Sequence, residues 1–192
     1  CTEFNNRQQQ GIRAVVMMNQ LVIEEEAFFQ NNMLKFVYAP NTKTLKTKAF
    51  ARCYYLSRFQ SNSLQIIEDA AFSYCNALTT INLSKVTQIG DGSFRQCVSL
   101  VCVNLTSLQQ PLLAGSFGDC FSLKQVVAKK SDGWHEQAFD YCYHVKIVDE
   151  SKVVRFQEVF VDEFRERKRM AKSICNIRKM TGFVQKAKEK LK

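Results

Sequence analysis

Apolar residues recur along this chain in a fixed phrase of about 22 residues. The most regular member of the phrase is a phenylalanine, found at Phe28, Phe50, Phe72, Phe94, Phe117 and Phe139. The gaps between these phenylalanines are 22, 22, 22, 23 and 22 residues. A constant period in this range is typical of stacked repeats, in which each unit buries its apolar face against the next. The spacing therefore predicts a solenoid of six repeats.

Other positions keep a constant offset from each phenylalanine. Cysteine follows three residues later at Cys53, Cys75, Cys97, Cys120 and Cys142, with Asn31 in the first copy. An aliphatic residue follows after six, at Leu34, Leu56, Leu78, Leu100, Leu123 and Val145. An apolar residue follows after nine, at Val37, Phe59, Ile81, Val103, Val126 and Val148, and another precedes by five, at Ile23, Leu45, Ile67, Ile89, Leu112 and Trp134. One structural unit is therefore repeated in register.

The residue pattern within each copy of the repeat predicts a short strand and a compact turn. The apolar residues of Leu78-x-x-Ile81-x-Leu83 end in alternation, which indicates a half-buried strand. The Ala-Phe-x-x-Cys stretch predicts a helical turn. Strands of successive copies would lie roughly 4.8 Å apart and form a parallel sheet. The phenylalanines would then form a continuous spine in the core.

The phrase resembles the BspA-like leucine-rich repeat. The resemblance is carried by Ala71-Phe72-x-x-Cys75-x-x-Leu78-x-x-Ile81-x-Leu83 and Val86-x-x-Ile89-Gly90, and it runs from about residue 13 to 150. It implies an α/β leucine-rich-repeat solenoid of six 22–23-residue repeats with a parallel sheet on one face. It also implies a non-enzymatic protein-binding module, since similar proteins are often surface or secreted antigens and adhesins of bacteria and protozoa. A cytoplasmic location stays open.

Charge divides the chain into two regions. Residues 1–150 hold 14 Lys and Arg against 13 Asp and Glu, whereas residues 151–192 hold 13 against 5, a net charge of +8. We therefore expect a nearly neutral solenoid over residues 1–150, with a partial leading repeat from about residue 13, and a basic helical extension over residues 151–192. No stretch approaches the roughly 18 apolar residues of a membrane span.

The extension predicts an amphipathic helix that begins with Ser151 as its N-cap. Its apolar positions follow helical spacing at Val153, Phe156, Phe160, Phe164, Ala171, Ile174 and Ile177. The first two turns, which hold Phe156, Phe160 and Phe164, would cap the end of the solenoid. Its basic residues are Arg165, Arg167, Lys168, Arg169, Lys172, Arg178 and Lys179. They fit a solvated helix face, a site for nucleic acid or acidic membrane, or a nuclear localisation signal.

The repeated cysteines indicate a buried row of free thiols rather than a disulfide scaffold. They share one repeat position, and free cysteine packs in cores as a small hydrophobe. Disulfides between adjacent coils are geometrically possible, but five cysteines in a row cannot all pair. A linear row does not offer the tetrahedral site that zinc prefers.

The sequence contains no nucleotide loop, metal-ligand motif or nucleophile–base pair. We therefore expect no enzyme activity, cofactor, metal or small-molecule substrate. The candidate site is the outer strand face, because residues that alternate with buried strand positions point away from the core. The predicted protein-binding residues are Phe36, Tyr38, Arg58, Gln60, Asn62, Thr80, Asn82, Asn104, Gln125 and Lys129. Aromatic and arginine anchors favour recognition of a protein ligand, although a solvated face without a partner fits the pattern too.

Overall fold

The computed structural model describes residues 11–129 and 133–156. Within them lie eleven strands: β1 (Ala14–Val16), β2 (Val22–Ile23), β3 (Phe36–Tyr38), β4 (Thr44–Leu45), β5 (Arg58–Gln60), β6 (Ile66–Ile67), β7 (Thr80–Ile81), β8 (Gln88–Ile89), β9 (Cys102–Asn104), β10 (Gln125–Val127) and β11 (Lys146–Val148). Two short 3-10 helices, Glu136–Phe139 and Glu150–Lys152, complete the regular structure of this part of the chain.

The strands form two parallel sheets that follow successive coils of a solenoid. The front sheet has seven strands in the order β1-β3-β5-β7-β9-β10-β11, and the side sheet has four in the order β2-β4-β6-β8. Each strand pairs with its equivalent one coil away, as where Val37 lies beside Phe59. The predicted solenoid and its parallel sheet are therefore confirmed. The side sheet is an addition, since the sequence pattern marked only one apolar position there.

The side sheet stops at β8 because of a proline. In β8 the Gln88 N–H donates to the Gln65 carbonyl of the preceding coil at 3.3 Å. The equivalent residue of the next coil is Pro111, which has no N–H to donate. Leu112, beside it, still fills the core and is 1% exposed. The coil thus continues past the point where the strand pairing ends.

In the first five coils the side of the solenoid that carries the phenylalanines consists of turns, so the predicted helical turn is wrong there. In the last coil a helical turn is present, as the 3-10 helix Glu136–Phe139. Left-handed backbone occurs two residues before the phenylalanine at Glu26, Lys48, Ala70, Gly92 and Gly115, and two residues after it at Gln30, Arg52, Tyr74, Gln96, Asp119 and Tyr141. This alternation points N–H groups at the next coil, so that Phe28 donates to Ala49 and Phe50 to Ala71, both at 2.8 Å. A helix would use those N–H groups within its own turn. We call this set of inter-coil bonds the turn ladder.

The phenylalanines form the predicted continuous spine. Consecutive rings from Phe28 to Phe139 lie 5.0–5.5 Å apart between centroids, with interplanar angles of 2–15°. Phe59 meets Phe50 and Phe72 edge-on at 5.4 and 5.2 Å. Burying each ring stabilises the fold by about 1.5–3 kcal/mol. At the last coil Trp134 packs against the core and lies 5.7 Å from Phe139.

The cysteine row lies behind this spine. Each thiol donates to the phenylalanine carbonyl of the preceding coil at 3.0–3.2 Å, in the pairs Cys53–Phe28, Cys75–Phe50, Cys97–Phe72, Cys120–Phe94 and Cys142–Phe117. Burial raises the pKa of Cys53 to about 12 and raises the pKa values of Cys75 and Cys97 as well. The five cysteines of the row are free thiols, which agrees with the prediction for the row.

The last coil departs from the predicted register. Val126 of β10 pairs with Ile147, not with Val148, because this coil reaches its strand one residue sooner. Ser151 is not a helix N-cap. It lies inside the 3-10 helix Glu150–Lys152, where Asp149 is the N-cap and its Oδ1 accepts from the Ser151 N–H at 2.8 Å.

Residues 153–156 form no helix, and the remainder of the predicted extension lies outside the described residues. The compact unit that contains the strands ends at Val154. Among the described residues, no helix has the length and apolar character needed to cross a membrane.

Candidate protein-binding face

The outer face of the front sheet carries its side chains in two aligned columns. From β1 to β11 the first column contains Ala14, Phe36, Arg58, Thr80, Cys102, Gln125 and Lys146. The second contains Val16, Tyr38, Gln60, Asn104, Val127 and Val148, with Asn82 directly after β7. Parallel pairing in register sets these columns, because partner residues on neighbouring strands point to the same side. Eight of the ten predicted site residues thus lie in or directly beside these two columns, and Asn62 and Lys129 lie outside the strands.

The N-terminal half of this face is apolar and aromatic. Phe36 and Tyr38 are half-buried side by side on β3, and Val16 of β1 is 46% exposed. Met18 continues the patch and is 53% exposed. Arg58 and Gln60 of β5 follow in the next coil and are half-buried too. We call Val16, Phe36, Tyr38, Arg58 and Gln60 the β1–β5 patch.

Two polar atoms of this patch are buried without a hydrogen-bond partner. They are Nη1 of Arg58 and Oε1 of Gln60, one a charged donor and the other an acceptor. A buried polar group left unsatisfied costs about 1–3 kcal/mol, and more when it is charged. The two residues are separated by one position on β5, so they lie on the same face about 6.6 Å apart.

The middle of the face is polar, and two of its asparagines bond within their own turns. Oδ1 of Asn82 accepts from the N–H of Ser84 at 3.1 Å, and Oδ1 of Asn104 accepts from the N–H of Thr106 at 3.0 Å. Asn side chains often close turns in this way. Thr80 is half-buried, and Asn62 and Lys129 are exposed at the flank. Asn82 and Asn104 therefore have a structural role in addition to lying on the predicted face.

Gln125 lies on this face but is covered by its own chain, so its predicted exposure needs correction. It is 3% exposed, and its side-chain amide bonds reciprocally to the backbone of Val154. Nε2 donates to the Val154 carbonyl at 3.2 Å, and Oε1 accepts from the Val154 N–H at 2.9 Å. Beside it Val127 is 4% exposed. Residues 149–154 thus form a strap over β10, and the open part of the face ends before that strand.

The sequence analysis missed an aromatic cluster beside the turn ladder. The guanidinium of Arg52 lies 6.0 Å from the ring centroid of Phe29 and 5.9 Å from that of Tyr74, each in a neighbouring coil. Tyr54 and Tyr55 are 37% and 60% exposed on the same coil. Arg52 and Tyr74 share one repeat offset, two residues after the phenylalanine. This shared offset places Arg52 and Tyr74 next to each other in adjacent coils, so the sequence could have predicted that they are neighbours.

A cluster of side chains that could bind a metal ion would be another kind of functional site in the described residues. No group of three or more His, Cys, Asp and Glu side chains there could hold a metal ion. His135 serves as the N-cap of the 3-10 helix Glu136–Phe139, where Nδ1 accepts from the Gln137 N–H at 3.2 Å. The basic residues between Arg165 and Lys179 lie outside the described residues.

Coils of 22–23 residues, parallel strands and a stacked core define a leucine-rich repeat protein. Within this class the chain belongs to the BspA type: the model for the BspA type leucine rich repeat region matches residues 21–146 in six copies. Repeats of this family generally serve in protein interaction and in surface proteins, and the fold is typically a non-enzymatic scaffold.

Solved structures include similar proteins. The T. pallidum leucine-rich repeat protein is 27% identical, with 73% of this chain and 70% of that chain covered and a TM-score of 0.63. A leucine-rich cell surface protein from Faecalibacterium prausnitzii A2-165 is 15% identical, with 72% and 59% covered. The TM-score of this second comparison is 0.40. No curated protein sequence matches the chain significantly.

Proposed function

We propose that this chain is a non-enzymatic protein-binding module that recognises a protein ligand on the outer face of its front sheet. The observation that carries the proposal is the β1–β5 patch, where half-buried aromatic rings adjoin an arginine in strand register. Tyrosine and arginine are enriched among the residues that dominate binding energy at protein interfaces. The strap over β10 leaves this N-terminal part of the face as the open part.

A pull-down with the tagged full chain tests the proposal. The double variant Tyr38→Ala with Arg58→Glu should abolish capture of the partner, because it removes an aromatic anchor and reverses the central charge. Thermal unfolding should change little, since both residues point away from the core. Mass spectrometry of the captured proteins, compared between wild type and variant, gives the measurement.

The matched control is Tyr55→Ala with Arg52→Glu, which makes the same two changes beside the turn ladder. Capture should survive in this control. Equal capture by wild type and by the Tyr38 and Arg58 variant would count against the proposed face. Loss of capture in the control alone would indicate that the partner binds beside the turn ladder and not on the outer face of the front sheet.

The second candidate function belongs to the basic C-terminal region. In this alternative the chain is an intracellular scaffold whose residues 151–192, with a net charge of +8, bind nucleic acid or acidic membrane. Such binding weakens steeply with salt, because phosphate contacts release counterions. Binding to duplex DNA or to phosphatidylserine vesicles at low salt, lost when residues 165–192 are deleted, would support it. No binding to either probe at low salt would remove it.

Surface display as an antigen or adhesin extends the first proposal. It is supported by the family, whose members are generally interaction and surface proteins. Protease treatment of intact cells gives a direct test. Digestion of this chain, with a cytoplasmic marker protein left intact, would support surface display, whereas protection until lysis would support the intracellular alternative.

A further inference from the structure

We infer that the β1–β5 patch selects an acidic segment of the partner protein, in which an Asp or Glu carboxylate pairs with Arg58. This inference rests on the proposed protein-binding function and names the chemistry of the ligand. Its starting point is the pair of unsatisfied atoms, Nη1 of Arg58 and Oε1 of Gln60. Arg58 is half-buried, and a guanidinium with an N–H group that has no partner within the fold gains from turning outward to meet an anion.

The charge pattern of the face gives the sign of the ligand. None of the outward-facing column residues of the front sheet from β1 to β10 is an Asp or Glu, and the flanking Met18, Asn62, Ser84, Thr106 and Lys129 are not acidic either. Arg58 makes no ion pair with any described residue. An acidic group therefore meets a positive surface with no competing carboxylate, and a basic group would be repelled.

The orphan acceptor and the apolar neighbours indicate a polypeptide rather than a free anion. Oε1 of Gln60 has no donor within the fold, and a rotation of this half-buried side chain to the surface lets a backbone N–H next to an acidic side chain supply one. Phe36 and Tyr38 lie one strand away and offer an apolar surface on which a neighbouring side chain can pack. A phosphate or a simple carboxylate would satisfy Arg58 and leave Gln60 and the rings unused. The recognised unit is therefore an Asp or Glu beside an apolar residue.

Selection from a phage library of random 12-residue peptides on the immobilised full chain tests this inference. Enriched peptides should share an acidic residue adjacent to an apolar one. Their affinity, measured by fluorescence polarisation, should fall at least tenfold for Arg58→Gln and stay unchanged for Arg52→Gln, the matched arginine on the turn side. Changing the acidic residue of the peptide to its amide should cause the same loss on wild type and no additional loss on Arg58→Gln.

The outcomes separate this inference from the proposed function. Peptides that lose affinity with Tyr38→Ala but show no acidic preference and no response to Arg58→Gln would overturn the inference and leave the face in place. Peptides that respond to neither variant, or no enrichment at all, would count against the face itself, and the inference would fail with it. Displacement of the peptide by a short single-stranded DNA would assign Arg58 to phosphate and overturn the inference.

Stability supplies an independent check. Because Nη1 of Arg58 has no partner in the folded chain, Arg58→Met should leave Tm unchanged or raise it. A marked fall in Tm would mean that interactions within the fold hold the Arg58 side chain. That result would contradict the inference that its Nη1 group is available to a ligand.

Discussion

Phe72 shows what a single residue contributes to the stack. Its ring is fully buried between those of Phe50 and Phe94, at 5.5 and 5.4 Å, and Phe59 meets it edge-on. Phe72→Ala should lower the free energy of unfolding by about 3–5 kcal/mol, because it removes the ring and leaves a cavity between rigid neighbours. Chemical denaturation measures this loss. The exposed Tyr55→Ala should change stability by less than about 0.5 kcal/mol, and an equal loss in both would contradict the packing argument.

Three inner cysteines of the row, Cys53, Cys75 and Cys97, should resist alkylation in the native state. The thiolate is the reactive form, and burial raises the pKa of Cys53 to about 12, so its thiol stays protonated even at pH 9. The fully buried Cys75 and Cys97 share this protection. Peptide mapping after iodoacetamide treatment should find all three unmodified at pH 9 and modified once the chain is unfolded. Modification of native Cys97 at the rate of an unfolded control would contradict this expectation.

At the scale of elements, the close approach of β8 to the preceding coil depends on Gly90. A Cβ at this position would clash with Asp69 Oδ1, and it would lie 2.6 Å from the Asp69 nitrogen and 2.8 Å from the Glu68 carbonyl carbon. Two of these atoms are backbone and cannot move aside cheaply. Gly90→Ala should therefore destabilise the fold by about 1–3 kcal/mol or more, as measured by thermal unfolding.

Gly118→Ala is the matched control for Gly90→Ala. Its nearest neighbours would be Gly115 backbone atoms at 3.4 Å, and Ala51 occupies the equivalent position three coils earlier. This substitution should be nearly neutral. A similar loss in both variants would show that glycine flexibility, and not the contact with Asp69, sets the effect.

The sequence predicted the elements whose apolar residues repeat in register and missed those defined by the backbone alone. The front sheet follows from positions such as Val37, Phe59 and Ile81, which recur at one offset. The turn ladder could not be predicted, because Lys48, Arg52 and Tyr74 adopt left-handed backbone without being glycine and so leave no compositional signal. Inter-coil hydrogen bonds hold them there, and such bonds exist only once the coils have stacked.

The candidate face shows the same limit. Its two columns were predictable from strand alternation, which brings Phe36, Tyr38 and Arg58 to one surface. The strap was not predictable, since it depends on one side-chain amide meeting the backbone of Val154, 29 residues along the chain from Gln125. The unsatisfied atoms of Arg58 and Gln60 likewise follow from local packing and have no counterpart in the sequence pattern.

At the scale of the whole array, stability should decline from the middle coils towards the ends. Each coil of a solenoid contacts only its neighbours, so an end coil has one interface where a central coil has two. Amides of β5, β7 and β9 should therefore exchange with deuterium more slowly than those of β1 and β11. Peptide-resolved exchange followed by mass spectrometry tests this, and uniform protection across these strands would indicate that the array opens as one unit.

The turn ladder gives the array a direction. Each of its N–H groups donates to the coil that follows, as Phe72 does to Ser93 at 2.8 Å, and in the last described coil the Gln137 N–H is taken by the His135 side chain. Carbonyl groups of the ladder therefore face the first coil, and N–H groups face the last. Two copies that met end to end along the ladder would match only head to tail, and each addition would recreate both kinds of end. Association of this sort would lengthen into a filament and could not close as a symmetric dimer.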